Sequence, residues 1–299
     1  MRNHEQLSTR RSSSFRLLTG SCIFFGLLVA PLAAFALTGR IVIAGSGPEQ
    51  PVMQDLARAY EKLHPGTSID VEWDKTVRAV EMVKTGEAHI AVTDHTDPSL
   101  DAVPMAWDGI AVIANFANPL TELTGEQVRR LFTGQSRRWS DFEGADQPVE
   151  IIARLGNDNL TAGFETSLGI PGRLVRSSTT ARSDQQVLRL VSGRDAAVSY
   201  MSLGAALRAQ GDGIPIRILT IDGVEPGEPT VANGRYPLKR SVLLLTALQR
   251  DPLTASFLSF IQSSAGQSLI GSLYTPLGSS PIVTSPSPTP SKDTARPAT

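Results

Sequence analysis

Between residues 41 and 92 strand-like apolar runs alternate with helix-period runs, which leaves few folds open. Residues 41–44 read as strand, 52–63 as helix, 68–71 as strand, 77–84 as helix and 88–92 as strand, with short Gly-containing connections. Such alternation builds βαβ units around a mostly parallel sheet. In the first helix Val52, Leu56, Ala59 and Leu63 recur at spacings of four, three and four, which predicts one apolar face docked on the sheet. The first strand runs into Gly45-Ser46-Gly47-Pro48 at the start of that helix. Helix starts carry unpaired N–H groups and partial positive charge, so an anion sits there readily.

Past Asp94 the pattern changes. MAWDGIAVIAN, residues 105–115, is a continuous apolar run of the kind that forms a strand buried on both faces. Thr124 and Gln127 stand at capping-box spacing and open a helix. Further units are expected at 149–153, 185–192 and 196–199, followed by an apolar strand at 242–248 and a helix from 253 to about 270. No internal repeat is visible.

The two ends read differently. Arg2, Arg10, Arg11 and Arg16 precede an apolar run that closes on Ala34-Phe35-Ala36, so residues 1–36 are expected to be a cleavable signal peptide and the protein periplasmic or secreted. The single cysteine, Cys22, falls inside that leader. A mature chain without it has no thiolate for a disulfide, a metal or a nucleophile. The whole chain holds 28 Lys and Arg against 29 Asp and Glu; the leader takes four arginines and Glu5, leaving 24 against 28. That surface gives no reason to expect nucleic-acid binding. Residues 281–299, rich in Ser, Thr and Pro, are expected to be a disordered tail. The roughly 245 residues between suit one large or two medium domains.

Several blocks resemble the exported phosphate-binding proteins of ABC-type uptake systems, members of the two-lobed periplasmic binding superfamily. They are AGSGPEQPVMQDLARAYEKLHPG, DGIAVIAN, LTGEQVRRLFTGQSRRWSDF, AAVSYMSLG and IDGVEPGEPTVANGRYPLKRSVLLLT, together spanning about residues 41 to 275. The resemblance implies an α/β fold of type II-like periplasmic-binding-protein form. Each lobe would be a mixed, mostly parallel sheet flanked by helices, with two crossing strands as hinge and the ligand in the cleft. Lobe one is expected at 37–108 plus 222–280 and lobe two at 109–221. It also implies a monomeric receptor handing a small anion to an inner-membrane permease, with no metal and no cofactor.

The same resemblance assigns ligand-binding roles. Ser46 matches the first hydroxyl and Gly47 lets backbone approach the ligand, although Ser at a helix start also serves as an ordinary cap. Thr76 falls where the family has a serine in a Gly-rich turn, here Lys75-Thr76-Val77-Arg78. Asp94 matches the acidic residue after the third strand and Arg154 the family arginine, with Phe164 ten residues on. Between them a Ser-Gly-Thr turn is replaced by Asp158-Asn159-Leu160, with Thr161 next. A carboxylate about 5 Å from a bound anion opposes it by roughly 3 kcal/mol at an effective dielectric near 20.

Two functions of the fold are thus in play: phosphate or a related oxyanion bound for transport, or a degenerate site that takes another solute or serves as a sensor or partner-docking module. Catalysis is not expected. No Gly-x-Ser-x-Gly elbow occurs, and Ser46 has no identifiable base partner.

Overall fold

The structure, a computed structural model, describes residues 37–73, 76–155 and 159–277, without the side chains of 76 and 77. The expected leader and the 281–299 tail lie outside the described residues. The first part of the chain forms β1 (Gly39–Gly45), α1 (Gln50–Leu63), β2 (Thr67–Trp73), α2 (Thr76–Thr85) and β3 (Ile90–Thr93), as the alternation requires. β1 lies parallel between β2 and β3. The buried face of α1 is Val52, Met53, Leu56, Ala57 and Tyr60, whereas Leu63 is exposed. The 52-56-59-63 stripe is therefore rotated by part of a turn, because Tyr60 reaches into the core and its hydroxyl bonds Ser256 at 2.8 Å.

The 105–115 run is the heart of β4 (Asp101–Asn115), a 15-residue strand that serves two neighbourhoods. Beyond it come β5 (Glu122–Leu123), α3 (Gly125–Phe132), β6 (Glu150–Ile151), β7 (Ala153–Arg154) and α4 (Asn159–Leu168). Then follow β8 (Thr180–Ala181), α5 (Asp184–Ser192), β9 (Ala197–Ser202), α6 (Leu203–Gly211), β10 (Ile216–Ile218), β11 (Thr220–Ile221) and α7 (Glu228–Ala232). The chain returns through β12 (Lys239–Thr246), α8 (Pro252–Gln262), α9 (Ser264–Ile270) and β13 (Thr275–Pro276). The capping box at Thr124 and Gln127 is present. The single helix expected over 253–270 is broken at Ser263, whose extended backbone ends α8 and whose hydroxyl caps α9.

The strand path is β2-β1-β3-β12-β4-β9-β6, with β10 and β13 also paired to β4. Residues 101–109 of β4 pair antiparallel with β12, and residues 110–114 pair antiparallel with β9. The sheet is mixed: parallel at β2-β1-β3 and β6-β9, antiparallel along the strands that pass between the two halves.

Two large apolar cores lie on either side of that passage. One gathers Ile41, Ile43, Leu56, Tyr60, Met105, Val242 and Phe257; the other gathers Ile110, Phe132, Trp139, Phe164, Tyr200 and Tyr236. Val231, Tyr236 and Leu238 belong to the second core, and the Tyr236 hydroxyl donates to the Ile110 carbonyl at 3.0 Å. A tyrosine that must bury its ring and satisfy its hydroxyl packs this segment with the second core.

Candidate functional site

The site is built where β1 and β3 end. Gly45 closes β1 under the Trp73 ring; a Cβ there would come within 2.8 Å of the indole. Trp73 in turn donates its indole N–H to the Gly47 carbonyl at 2.9 Å, which pins the turn. Gly47 has φ +93°, a conformation that disfavours any side chain. Ser46 is buried between them.

From the other core comes the start of α4. The Asn159 side-chain amide donates to the Ser46 carbonyl and to the Val92 carbonyl, each at 3.1 Å. One buried carboxamide thereby joins the ends of β1 and β3 to the first turn of α4. Its backbone nitrogen faces Gly47: a Cβ on Gly47 would lie 3.7 Å from it. Asn159 thus lies against the β1 turn with its side-chain donors engaged by protein carbonyls.

Beneath this junction three charged side chains are almost wholly buried: Glu49 at the start of α1, Asp108 in β4 and Arg240 in β12. Arg240 Nη2 donates to Glu49 Oε1 and, at 2.7 Å, to Asp108 Oδ2, which also accepts from Arg240 Nε at 3.1 Å. The Ser202 hydroxyl donates to Asp108 Oδ1 at 2.7 Å. Glu49 Oε2 and Arg240 Nη1 are buried without a hydrogen-bond partner among the described residues. A Cβ on Gly47 would meet that same Glu49 Oε2 at 2.9 Å, so the unpartnered oxygen lies against the turn. Burial pushes the Glu49 carboxyl up to about 7 despite the guanidinium, and the same cause raises Asp108.

Asp94, at the end of β3, accepts from the His95 ring at 3.1 Å and is nearly buried. That bond raises the His95 pKa. The Ser241 hydroxyl reaches the Asp94 carbonyl at 3.5 Å. Arg154, on β7, is buried and paired with Asp184 at 2.6 Å. Thr161 accepts from the Tyr200 hydroxyl at 3.0 Å. Arg154, Thr161 and Tyr200 line a cavity of about 380 Å³ in the second core, together with Arg176, Ser177 and Thr180. The Thr76 side chain and all of Asp158 lie outside the described residues.

The structure therefore brings Ser46, Gly47 and Asn159 together, sets Asp94 immediately past the end of β3, and places Arg154 and Thr161 around the second-core cavity. Sequence reading missed Glu49, Asp108 and Arg240 as a group. The signal was available: a carboxylate inside the apolar run 105–115 and an arginine opening the apolar strand 242–248 each need a buried partner. Among the described residues no group of three or more His, Cys, Asp or Glu could hold a metal ion.

A family model described as a PBP superfamily domain matches residues 33–265. The chain belongs to this superfamily. Among its relatives, the phosphate-binding protein PstS of Bacillus subtilis (strain 168) is 23% identical over 234 residues, 76% of either protein. Phosphate-binding protein PstS 2 of Streptococcus agalactiae is 33% identical over 111 residues, 35% of this chain and 38% of that one. An ABC-type phosphate transport receptor from Vibrio cholerae superposes with a TM-score of 0.70 at 25% identity, over 80% of this chain and 100% of that one. A putative phosphate ABC transporter substrate-binding protein from Clostridium perfringens, solved with bound phosphate, gives 0.71 at 23% over the same shares. The two-core α/β architecture matches these receptors.

Proposed function

We propose that this protein is an exported solute-binding receptor that presents phosphate or a related oxyanion to an ABC permease. The relatives named as phosphate-binding proteins support that ligand class. The observation that carries the reading is the meeting of two helix starts from opposite cores, the Gly45-Ser46-Gly47 turn before α1 and Asn159 of α4, beside a buried arginine. Backbone N–H groups at helix starts and one guanidinium are the donors an oxyanion needs. The lobes are taken as 37–108 with the chain after Leu238, and 109–238, so that β4 and β12 form the hinge and closure brings α4 onto the β1 turn. Within this reading Asp94 and Arg154 keep their ligand-binding assignments, together with Thr76, Asp158 and Thr161, as the residues an opened and reclosed cleft would bring to the anion.

Titration of ligand-stripped, refolded protein with inorganic phosphate tests this. Micromolar binding, about 8 kcal/mol, supports it, and no heat or fluorescence change at millimolar phosphate overturns it. A second reading, the degenerate site acting as sensor or docking module, is favoured by Asn159 and Glu49 already lying against the turn. The same titration separates the two.

A further inference from the structure

The buried trio under the Gly47 turn holds one cation and two carboxyl groups. With both ionised it carries a net negative charge, adjoining the turn where an oxyanion would sit. Two like charges in that space oppose each other by several kcal/mol at any effective dielectric suited to a buried site. We propose that oxyanion binding in this cleft is coupled to proton uptake by Glu49. This rests on the oxyanion reading above and concerns how that same site is controlled.

The geometry singles out Glu49 among the acids. Asp108 takes two bonds from Arg240 and one from Ser202, so both its oxygens are partnered. Glu49 bonds Arg240 through Oε1, while Oε2 is buried against Gly47 without a hydrogen-bond partner among the described residues. Glu49 makes no capping bond to α1 either, so its placement is not explained as an ordinary helix cap. A proton from solvent added to Oε2 converts an opposing charge into an O–H donor that can point at an anion's oxygen. The Arg240 guanidinium, whose Nη1 has no hydrogen-bond partner among the described residues, is then balanced by the Asp108 carboxylate alone.

The charged and titratable groups around Glu49 are few. β12 contributes Arg240 and β4 contributes Asp108. Tyr274, beyond α9, is buried and feels both carboxylates, and Asp184 on α5 acts on Asp108 and Tyr274 but is itself paired with Arg154. The end of β3 carries the Asp94–His95 pair, and α4 offers the neutral Asn159. Burial places the Glu49 transition at about 7, so the coupling operates near neutrality. Below that value the proton is already in place; above it, binding must import one, and affinity falls as pH rises.

The test is calorimetric titration of the ligand-stripped protein with inorganic phosphate in buffers of different ionisation heat, which counts protons taken up. Wild type and Glu49→Gln are compared, with Glu49→Met as a second variant should the first not fold. Phosphate's own protonation affects all of them alike. At about pH 8 the wild type should take up about one more proton per phosphate than the variant and bind about tenfold more weakly, with the difference gone near pH 5.5. Equal proton counts and equal affinities at pH 8 would overturn the coupling and leave the oxyanion reading standing. Weaker binding by the variants at both pH values would also overturn it, since Glu49 would then be a favourable contact throughout. No binding by any form at about 10 mM phosphate would remove the oxyanion reading and the coupling with it.

Discussion

Asn159 and Ser46, 113 residues apart in the chain, are joined by a 3.1 Å hydrogen bond from the side-chain amide of one to the carbonyl of the other. The same amide satisfies the Val92 carbonyl at the end of β3. A single residue at the start of α4 therefore holds the second core onto the strand ends of the first. The contact between the two halves is made of hydrogen bonds here, for which the proposed anion would compete.

Removing that amide should loosen the closed form. Asn159→Ala deletes two buried bonds, each worth roughly 1 kcal/mol, and strands two carbonyls, so a loss of about 2 kcal/mol is expected in urea unfolding. Asn159→Asp should cost more, because it sets acceptor oxygens against two carbonyl acceptors. Small-angle scattering of the ligand-free alanine variant should show a larger radius than wild type. Unchanged radius and stability in both variants would show that the Asn159 contact does not hold the halves together.

Gly163 is the second place where α4 meets the other half of the molecule. A Cβ there would lie 2.5 Å from Arg240 Cδ and 2.9 Å from Arg240 Cβ, and the second of these atoms cannot swing aside. Gly163→Ala should push α4 off β12 and cost about 1 to 3 kcal/mol, despite the better helix propensity of alanine. A variant as stable as wild type in denaturant would mean that the contact relaxes freely. The paired readout is phosphate affinity, which should fall with the misplaced α4.

Much of the first half was legible because its signals are local. The helical spacing and apolar strand runs of residues 41–92 and the Thr124–Gln127 cap depend on neighbours in sequence, and the structure forms those elements. The break at Ser263 was not legible, since residues on both sides of it suit a helix and the stop is a backbone choice at one serine. The site was half legible. Ser46, Gly47 and Asn159 lie close together, whereas the Glu49–Arg240–Asp108 group spans 191 residues and shows in sequence only as charges oddly placed in apolar runs. Pairing of that range is set by the crossing strands β4 and β12, and periodicity carries no information about it.

The second core hangs on Phe164, which stacks on Tyr200 with ring centroids 4.0 Å apart and meets Phe132 edge-on at 4.9 Å. Phe164→Ala should cost about 3 to 5 kcal/mol, the usual range for a fully buried aromatic truncated to alanine. Phe164→Leu should recover a large part of it, because volume is nearly restored and only the ring geometry is lost. Denaturant midpoints of the two variants decide this. Equal losses would mean that stacking, not volume, carries the contribution of Phe164.

Stability itself should depend on pH through Glu49, with a sign set by burial. The folded carboxyl titrates at about 7 against 4.5 for its unperturbed value, so between those values the folded chain holds a proton that the unfolded chain has released. Stability therefore falls as pH rises through this window, is flat below it where both states are protonated, and is flat again above about 7. The full window corresponds to about 3 kcal/mol, and the group is wholly buried, so solvent screening does not reduce it. Asp108 is raised by the same cause and adds to the slope, so the contribution of Glu49 is the difference between wild type and Glu49→Gln. Urea unfolding near pH 5 and pH 8 should show the wild type losing about 2 to 3 kcal/mol more than the variant over that interval. Parallel losses would place the titration elsewhere and leave Glu49 ionised throughout, held by the Arg240 guanidinium in spite of its burial.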